Sequence, residues 1–215
     1  MTPRRRGLDK GTRSLLESPP WREDDVDRVA HEQVEIGRAG RFRVAVVADT
    51  HSHPHPDALR LLAEHAPNLI LHAGDIGDLS VLDAIAEVAP LITVRGNIDA
   101  TDNGLPDHVH LTLTRQGVPC ARWLLTHIAV RGPKLMKHVA VRAHEAGAQM
   151  VVCGHSHVPW IGTHRGLAVF NPGSIGPRRF RLPITLGLVD LDAEGITLTH
   201  WSCETGARWR PMAAP

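Results

Sequence analysis

An α/β fold, with one or two mixed β-sheets layered between helices, is what this 215-residue sequence predicts. Three observations carry the prediction. Short continuous apolar runs, such as residues 44–48, have the length and composition of buried strands. Between residues 42 and 94 such runs alternate with segments of helical spacing, and this βαβαβ order demands parallel pairs with covering helices. The chain then closes on two apolar runs around Ala193-Glu194-Gly195, a hairpin that adds antiparallel strands to the mixture.

Residues 1–40 stand apart, rich in Arg, Asp, Glu and Pro, with Pro19-Pro20 as a break. They are expected as a partly flexible N-terminal extension to a domain spanning 41–215. A short helix is expected within it. Asp24 would cap that helix, Val26, Val29, Ala30 and Val34 would share one face, and Gly37 and Gly40 would end it. Strands follow at 44–48, 68–72 and 91–94, with helices at 57–65, where Pro56 sits at the start, and at 79–88. Val109, Leu111 and Leu113 alternate with His and Thr, giving a strand with one wetter face on which His108 and His110 stand exposed. Gln116-Gly117 turns into a strand at 121–126. An amphipathic helix is predicted over 134–146, ending near Gly147. Strands at 150–153 and 167–170 precede the closing hairpin of 184–191 and 196–201.

Composition excludes several function classes. With 42% apolar and 22% charged residues, the chain is an ordinary globular one. A net charge of +1 gives no strong nucleic-acid signal and no attraction to an anionic membrane. No apolar run approaches the roughly 20 residues of a membrane span, and no apolar segment follows Arg4-Arg5-Arg6 to make a secretory signal. Three cysteines without CxxC spacing form no disulfide framework, so a cytoplasmic location is expected. Cys153 reads as a small core residue. The unusual count is fifteen histidines, many of them at the ends of apolar runs.

Five short motifs each follow an apolar run: Asp49-Thr50-His51, Gly74-Asp75, Gly96-Asn97, Thr126-His127 and Gly154-His155-Ser156-His157. Loops from neighbouring strands can converge on one crevice. A divalent ion of intermediate softness accepts carboxylate, amide and imidazole donors together. Asp49 and His51 alternate along one segment and can grip one ion, as can His155 and His157 unless neighbouring ions share them. Asp75 has two oxygens and can bridge. The glycines before Asp75, Asn97 and His155 admit close backbone approach.

In this order and spacing, the motifs VVADTHSH, LHAGDIGD, VRGNID, LLTH and VVCGHSH resemble those of the calcineurin-like metallophosphoesterases. Within them the chain looks like the small bacterial phosphodiesterase branch, which also includes the retromer-subunit relatives. The similarity runs from about Phe42 to Trp201 and includes an Asn171-Pro172-Gly173-Ser174 turn, expected to shape the floor of the site. It implies a four-layer αββα sandwich of two mixed sheets flanked by helices. It also implies two divalent ions, one held by Asp49, His51, Asp75 and His157, the other by Asp75, Asn97, His127 and His155. Manganese is expected first, with Fe, Zn, Ni or Co as alternatives. A hydroxide between the ions would attack the phosphorus of a small or nucleotide-like phosphodiester. A phosphomonoesterase, or a non-enzymatic interaction scaffold on the same fold, is the alternative. A homo-oligomer is left open.

The resemblance breaks at two positions. Ile98 stands where many members carry the His that protonates the leaving oxygen, and Ile128 stands where Gly usually follows His127. With Ile98 unable to donate a proton, His53 and His72 are the candidate acids by nearness in sequence, beside Asp75 and Asn97 as catalytic residues. His55 reads as a solvated loop residue. Asn97 and Arg178 are the candidate substrate contacts, with Arg179 beside them, because guanidinium suits phosphate.

Overall fold

The computed structural model describes residues 27–37 and 40–211. Its elements are β1 (Val29–Glu35), β2 (Phe42–Val47), α1 (Ala58–His65), β3 (Leu69–His72), α2 (Ser80–Ala86), β4 (Leu91–Thr93), β5 (His108–Arg115), β6 (Val118–Thr126), β7 (Val130–Arg131), β8 (Lys134–Leu135), α3 (Lys137–Glu145), β9 (Met150–Val152), β10 (Trp160–His164), β11 (Leu167–Asn171), β12 (Thr185–Leu191), β13 (Ile196–Ser202) and β14 (Arg208–Trp209). Two six-stranded mixed sheets run β1-β5-β6-β9-β11-β10 and β14-β13-β12-β2-β3-β4, and β7 and β8 form a small ribbon.

Side-chain alternation along the strands makes four layers from these elements. Val44, Val46, Leu69 and Leu71 meet Leu111, Trp123, Leu125, Val152 and Phe170 in the core between the sheets. The alternate residues Ala45, Val47 and Ile70 face outward onto Leu61 and Leu62 of α1 and Ile85 of α2. Leu124, Val151 and Val169 face the other way, onto Val139, Ala140 and Ala143 of α3. Strands buried on both faces read as unbroken apolar runs, which is why β2, β3 and β9 stand out in the sequence. The result is the expected αββα sandwich.

Three local expectations are corrected. The helix expected near residues 24–36 is replaced at Val29–Glu35 by strand β1, which pairs in parallel with β5 in the register Val29↔His108 to Glu35↔Thr114. Asp24 and Val26 lie outside the described residues. The helix expected from residue 134 begins instead at Lys137, because Lys134–Leu135 pairs with Val130–Arg131. His108 and His110 are half-buried rather than exposed. His108 bonds to Thr126 and Asp27, and the His110 ring packs edge-on against His31 at 4.8 Å. No helix among the described residues is long and apolar enough to cross a membrane.

Candidate metal centre

The loops that follow β2, β3, β4, β6 and β9 meet at one edge of the sandwich, where both sheets end. Asp49, His51, Asp75 and Asn97 come from one sheet, and His127, His155 and His157 from the other. Backbone bonds join the loops: Asp49 N–H to Gly74 O (2.9 Å), His51 N–H to Asp75 O (3.1 Å) and Gly154 N–H to His127 O (3.0 Å). Gly96 is required here, since a Cβ at that position would lie 2.2 Å from both the amide nitrogen and Oδ1 of Asp75. Asp49, His51, Asp75, His155 and His157 all have φ between 45° and 68°, a left-handed conformation that side chains resist. Such strain persists only where surrounding structure imposes it, and it gathers at functional sites.

The side chains form two clusters, Asp49–His51–His157 and Asp75–His127–His155, each with ligand atoms within 4.8 Å of one another. In the first, His157 Nε2 lies 3.3 Å from His51 Nε2 and 3.4 Å from Asp49 Oδ1. In the second, His127 Nε2 lies 3.1 Å from Asp75 Oδ1 and 3.2 Å from Asn97 Oδ1, and Asn97 Oδ1 is 2.9 Å from His155 Nδ1. Asp75 joins them, its Oδ2 lying 3.8 Å from His51 Nε2. His127 stands in the cluster despite the half-buried Ile128 behind it.

The donor set fits a cation. His127 Nδ1–H donates to the Ala73 carbonyl at 2.7 Å, so in the neutral ring Nε2 carries a lone pair. That lone pair faces two oxygen acceptors, a repulsive arrangement unless a positive charge sits among them. Without an ion, a proton on Nε2 supplies that charge. Burial pushes the Asp49 carboxyl up to about 7, with the Asp75 charge adding to the rise and His127 opposing it. Burial also raises Asp75, but the hydrogen bond and charge of His127, the Ile98 N–H and His51 outweigh it and hold the group at about 2. Burial alone would lower His127, yet its hydrogen bond to Asp75 and the Asp49 charge leave it raised. Burial, then Arg179 and His51, depress His157 to about 4, while burial and His127 lower His155.

The family model described as the calcineurin-like phosphoesterase superfamily domain matches residues 42–194, well over half of the chain. The chain belongs to this superfamily. A relative called "probable metallophosphoesterase" in Bacillus subtilis is 30% identical over 74% of this chain and 90% of its own length. A predicted phosphoesterase from Streptococcus pneumoniae shares the fold at 20% identity and TM-score 0.59, over 80% of this chain and 95% of that one. Vps29 from Entamoeba histolytica, solved in complex with Zn²⁺, does so at 19% identity and TM-score 0.61, covering 78% and 96%. The calcineurin-like superfamily is metal-dependent, and the two clusters are the residues of this member that could hold the metal.

Other expected residues of this calcineurin-like site fall differently. His72 is corrected as a candidate acid. It is fully buried; Gly74 N–H donates to its Nδ1 (3.1 Å), so Nε2 carries the proton and faces Thr50 Oγ1 (3.1 Å). Burial depresses it to about 4, so the ring stays neutral at neutral pH, and its one N–H is a very weak acid engaged with Thr50 and sealed from solvent. Its bonds instead tie the Asp49 loop to the Asp75 loop. His53 is exposed, and its ring makes no hydrogen bond among the described residues. Arg178 is corrected as a substrate contact: its guanidinium bonds to Glu204 and the Leu182 carbonyl. Its neighbour Arg179 reaches the centre, with Nη2 3.2 Å from His51 Nε2. Ile98 is 47% exposed, and its N–H donates to Asp75 Oδ1 at 3.2 Å.

The motif reading gave no role to Asp99. Its buried carboxylate accepts N–H bonds from Ile76, Gly77 and Gly96 at 2.7–3.1 Å, stapling the Asp75 loop to the Asn97 loop. The available signal was an acid two residues after Asn97. The 171–174 turn is tied to two of the ligand loops: Asn171 Nδ2 donates to Gly154 O (2.6 Å) and Ser174 Oγ to Asp49 O (3.0 Å).

Proposed function

We propose that this protein hydrolyses phosphodiester bonds of a small or nucleotide-like substrate, using two divalent metal ions, manganese first among them. One ion would be held by Asp49, His51, Asp75 and His157, the other by Asp75, Asn97, His127 and His155. The observation that carries the reading is the Asp75 carboxylate, with one oxygen 3.1 Å from a histidine of one cluster and the other 3.8 Å from a histidine of the second. When bound, paired ions supply water activation, orientation of the ester and neutralisation of the charge that develops at phosphorus.

The residues do the rest. Asn97 places its amide oxygen between His127 and His155, where it would serve as a metal ligand and a substrate contact. The hydrogen bond from His127 to Ala73 fixes that ring's tautomer, as metal-ligating histidines require. Ile98 offers no proton, which favours diesters with good leaving groups, since a positioned acid contributes about 10²–10⁴-fold. His53, exposed on the loop after His51, is the remaining candidate for that proton.

The test is a panel of chromogenic diesters, cyclic nucleotides and monoesters, assayed after chelation and after adding back Mn²⁺, Zn²⁺, Fe²⁺, Ni²⁺ or Co²⁺. Hydrolysis that disappears with chelator and returns with an ion is expected; inertness toward every ester with every ion would overturn the reading. Ile98 favours a second reading, a non-enzymatic interaction scaffold on the same fold. A titration finding no divalent ion bound at micromolar concentration would favour that scaffold.

A further inference from the structure

We propose that Arg179 and Phe180 form a substrate clamp, the guanidinium taking the phosphoryl oxygens and the ring stacking on a planar group attached to the phosphate. This rests on the phosphoesterase reading and names its substrate class: phosphoesters carrying an aryl group or a nucleobase.

The geometry is particular to the segment that joins β11 to β12. Arg178 anchors it, bonding to Glu204 and, at 2.8 Å, to the Leu182 carbonyl. Leu182 N–H returns to the Arg179 carbonyl at 3.1 Å, and Thr185 N–H to Ser174 O at 2.9 Å closes the base. Between these ties Arg179 turns inward, and its Nη2 donates to the lone pair of His51 Nε2. A metal ion needs that same lone pair and repels the guanidinium. With metal bound, this donor fork at the mouth is free for an anion, and guanidinium matches phosphoryl oxygens two at a time.

Phe180 has no structural duty to explain it. The chain has only three Phe and no Tyr, yet this Phe is 92% exposed and held at φ 53°. Exposure forgoes the burial that stabilises other apolar side chains, and the left-handed backbone adds strain. Ile98, next to Asn97, and Val158, next to His157, are exposed at 47% and 43%. Apolar side chains thus flank the ligands on the loops of both sheets. A charged donor followed in the chain by an exposed ring suits a ligand with a phosphate at one end and a flat apolar face at the other.

The test uses phenylphosphonate and methylphosphonate, which carry the same anion, cannot be hydrolysed and differ by a ring, titrated calorimetrically into the metal-loaded protein. Wild type should bind phenylphosphonate roughly threefold to tenfold tighter. Phe180→Ala should erase that preference and leave methylphosphonate binding unchanged. Arg179→Ala should weaken both by about tenfold or more, and Arg179→Lys should restore part of the loss. A nucleoside phosphonate separates the two sources of the ring: tighter binding than phenylphosphonate identifies a nucleobase, weaker binding a simple aryl group, and either keeps the clamp. Equal affinities in wild type, a preference that survives Phe180→Ala, or unchanged binding in Arg179→Ala would overturn it. Ester hydrolysis by wild type is read separately. The expected binding pattern without hydrolysis removes the catalytic reading, whereas hydrolysis with no effect of either variant removes the clamp.

Discussion

The ring nitrogen Nδ1 of His127 donates to the backbone carbonyl of Ala73 at 2.7 Å, and this bond decides which nitrogen of that ring a metal can reach. It pins Nε2, with its lone pair, against Asp75 and Asn97.

Asp75 should set the metal stoichiometry. Asp75→Asn keeps the shape but removes the negative charge shared between the clusters, so one ion or none should bind in place of the two proposed for wild type. Metal affinity should fall at least about a hundredfold, beyond the loss typical of residues that merely support a ligand. Metal analysis after dialysis checks this, and undiminished loading of both positions would contradict it.

Metal binding should release protons below neutral pH. In the metal-free protein Asp49 is raised to about 7 and His127 is raised as well, so at pH 6 the clusters hold protons that an ion must displace. Affinity should therefore rise with pH and level off above about 7. Calorimetry in two buffers of different ionisation enthalpy measures the protons released. Asp49→Asn should release fewer.

His72 should make the protein acid-sensitive. Its folded value, about 4, lies below the ordinary 6.5, so its contribution is complete above 6.5. That contribution is lost as pH falls toward 4, because the unfolded chain takes up the proton first. The depression corresponds to roughly 3 kcal/mol of stability. Denaturant titrations of wild type and His72→Gln in chelator at several pH values should show wild type losing more across this window. Parallel curves would remove the claim.

Asp99 should act on stability before chemistry. Asp99→Ala leaves three loop N–H groups without their acceptor, at a cost of about 3 kcal/mol. For a domain of this size the thermal midpoint should drop by about 6–12 °C. Asp99→Asn, which keeps one acceptor oxygen, should lose less. Unchanged unfolding in Asp99→Ala would show that the staple is dispensable.

The parts legible in the sequence are those with strong local signals. β2, β3 and β9 are buried on both faces and read as apolar runs, and the five motifs follow directly from strand ends. β1 was hidden because Ala30 and Val34, its half-buried residues, lie four apart, a spacing that fits a helix face as well as alternate positions of a strand. Its parallel pairing with β5, nearly eighty residues away, has no local trace. Residues 160–164 gave no signal because β10 is an edge strand with no fully buried residue. Arg178 and Arg179 are indistinguishable as neighbours in sequence. Glu204, a residue distant in the chain, captures the first, and the second is left to turn inward. Nearness in sequence says nothing about solvent access, which is why the burial of His72 leaves no local trace.

The left-handed backbone at Asp49, His51, Asp75, His155 and His157 bears on how such a chain drifts over generations. Glycine, or in part asparagine, relieves that conformation. A lineage released from holding an ion would gain stability by substituting them, one position at a time. Carboxylates and imidazoles standing in all five places therefore keep a backbone strain that glycine would relieve.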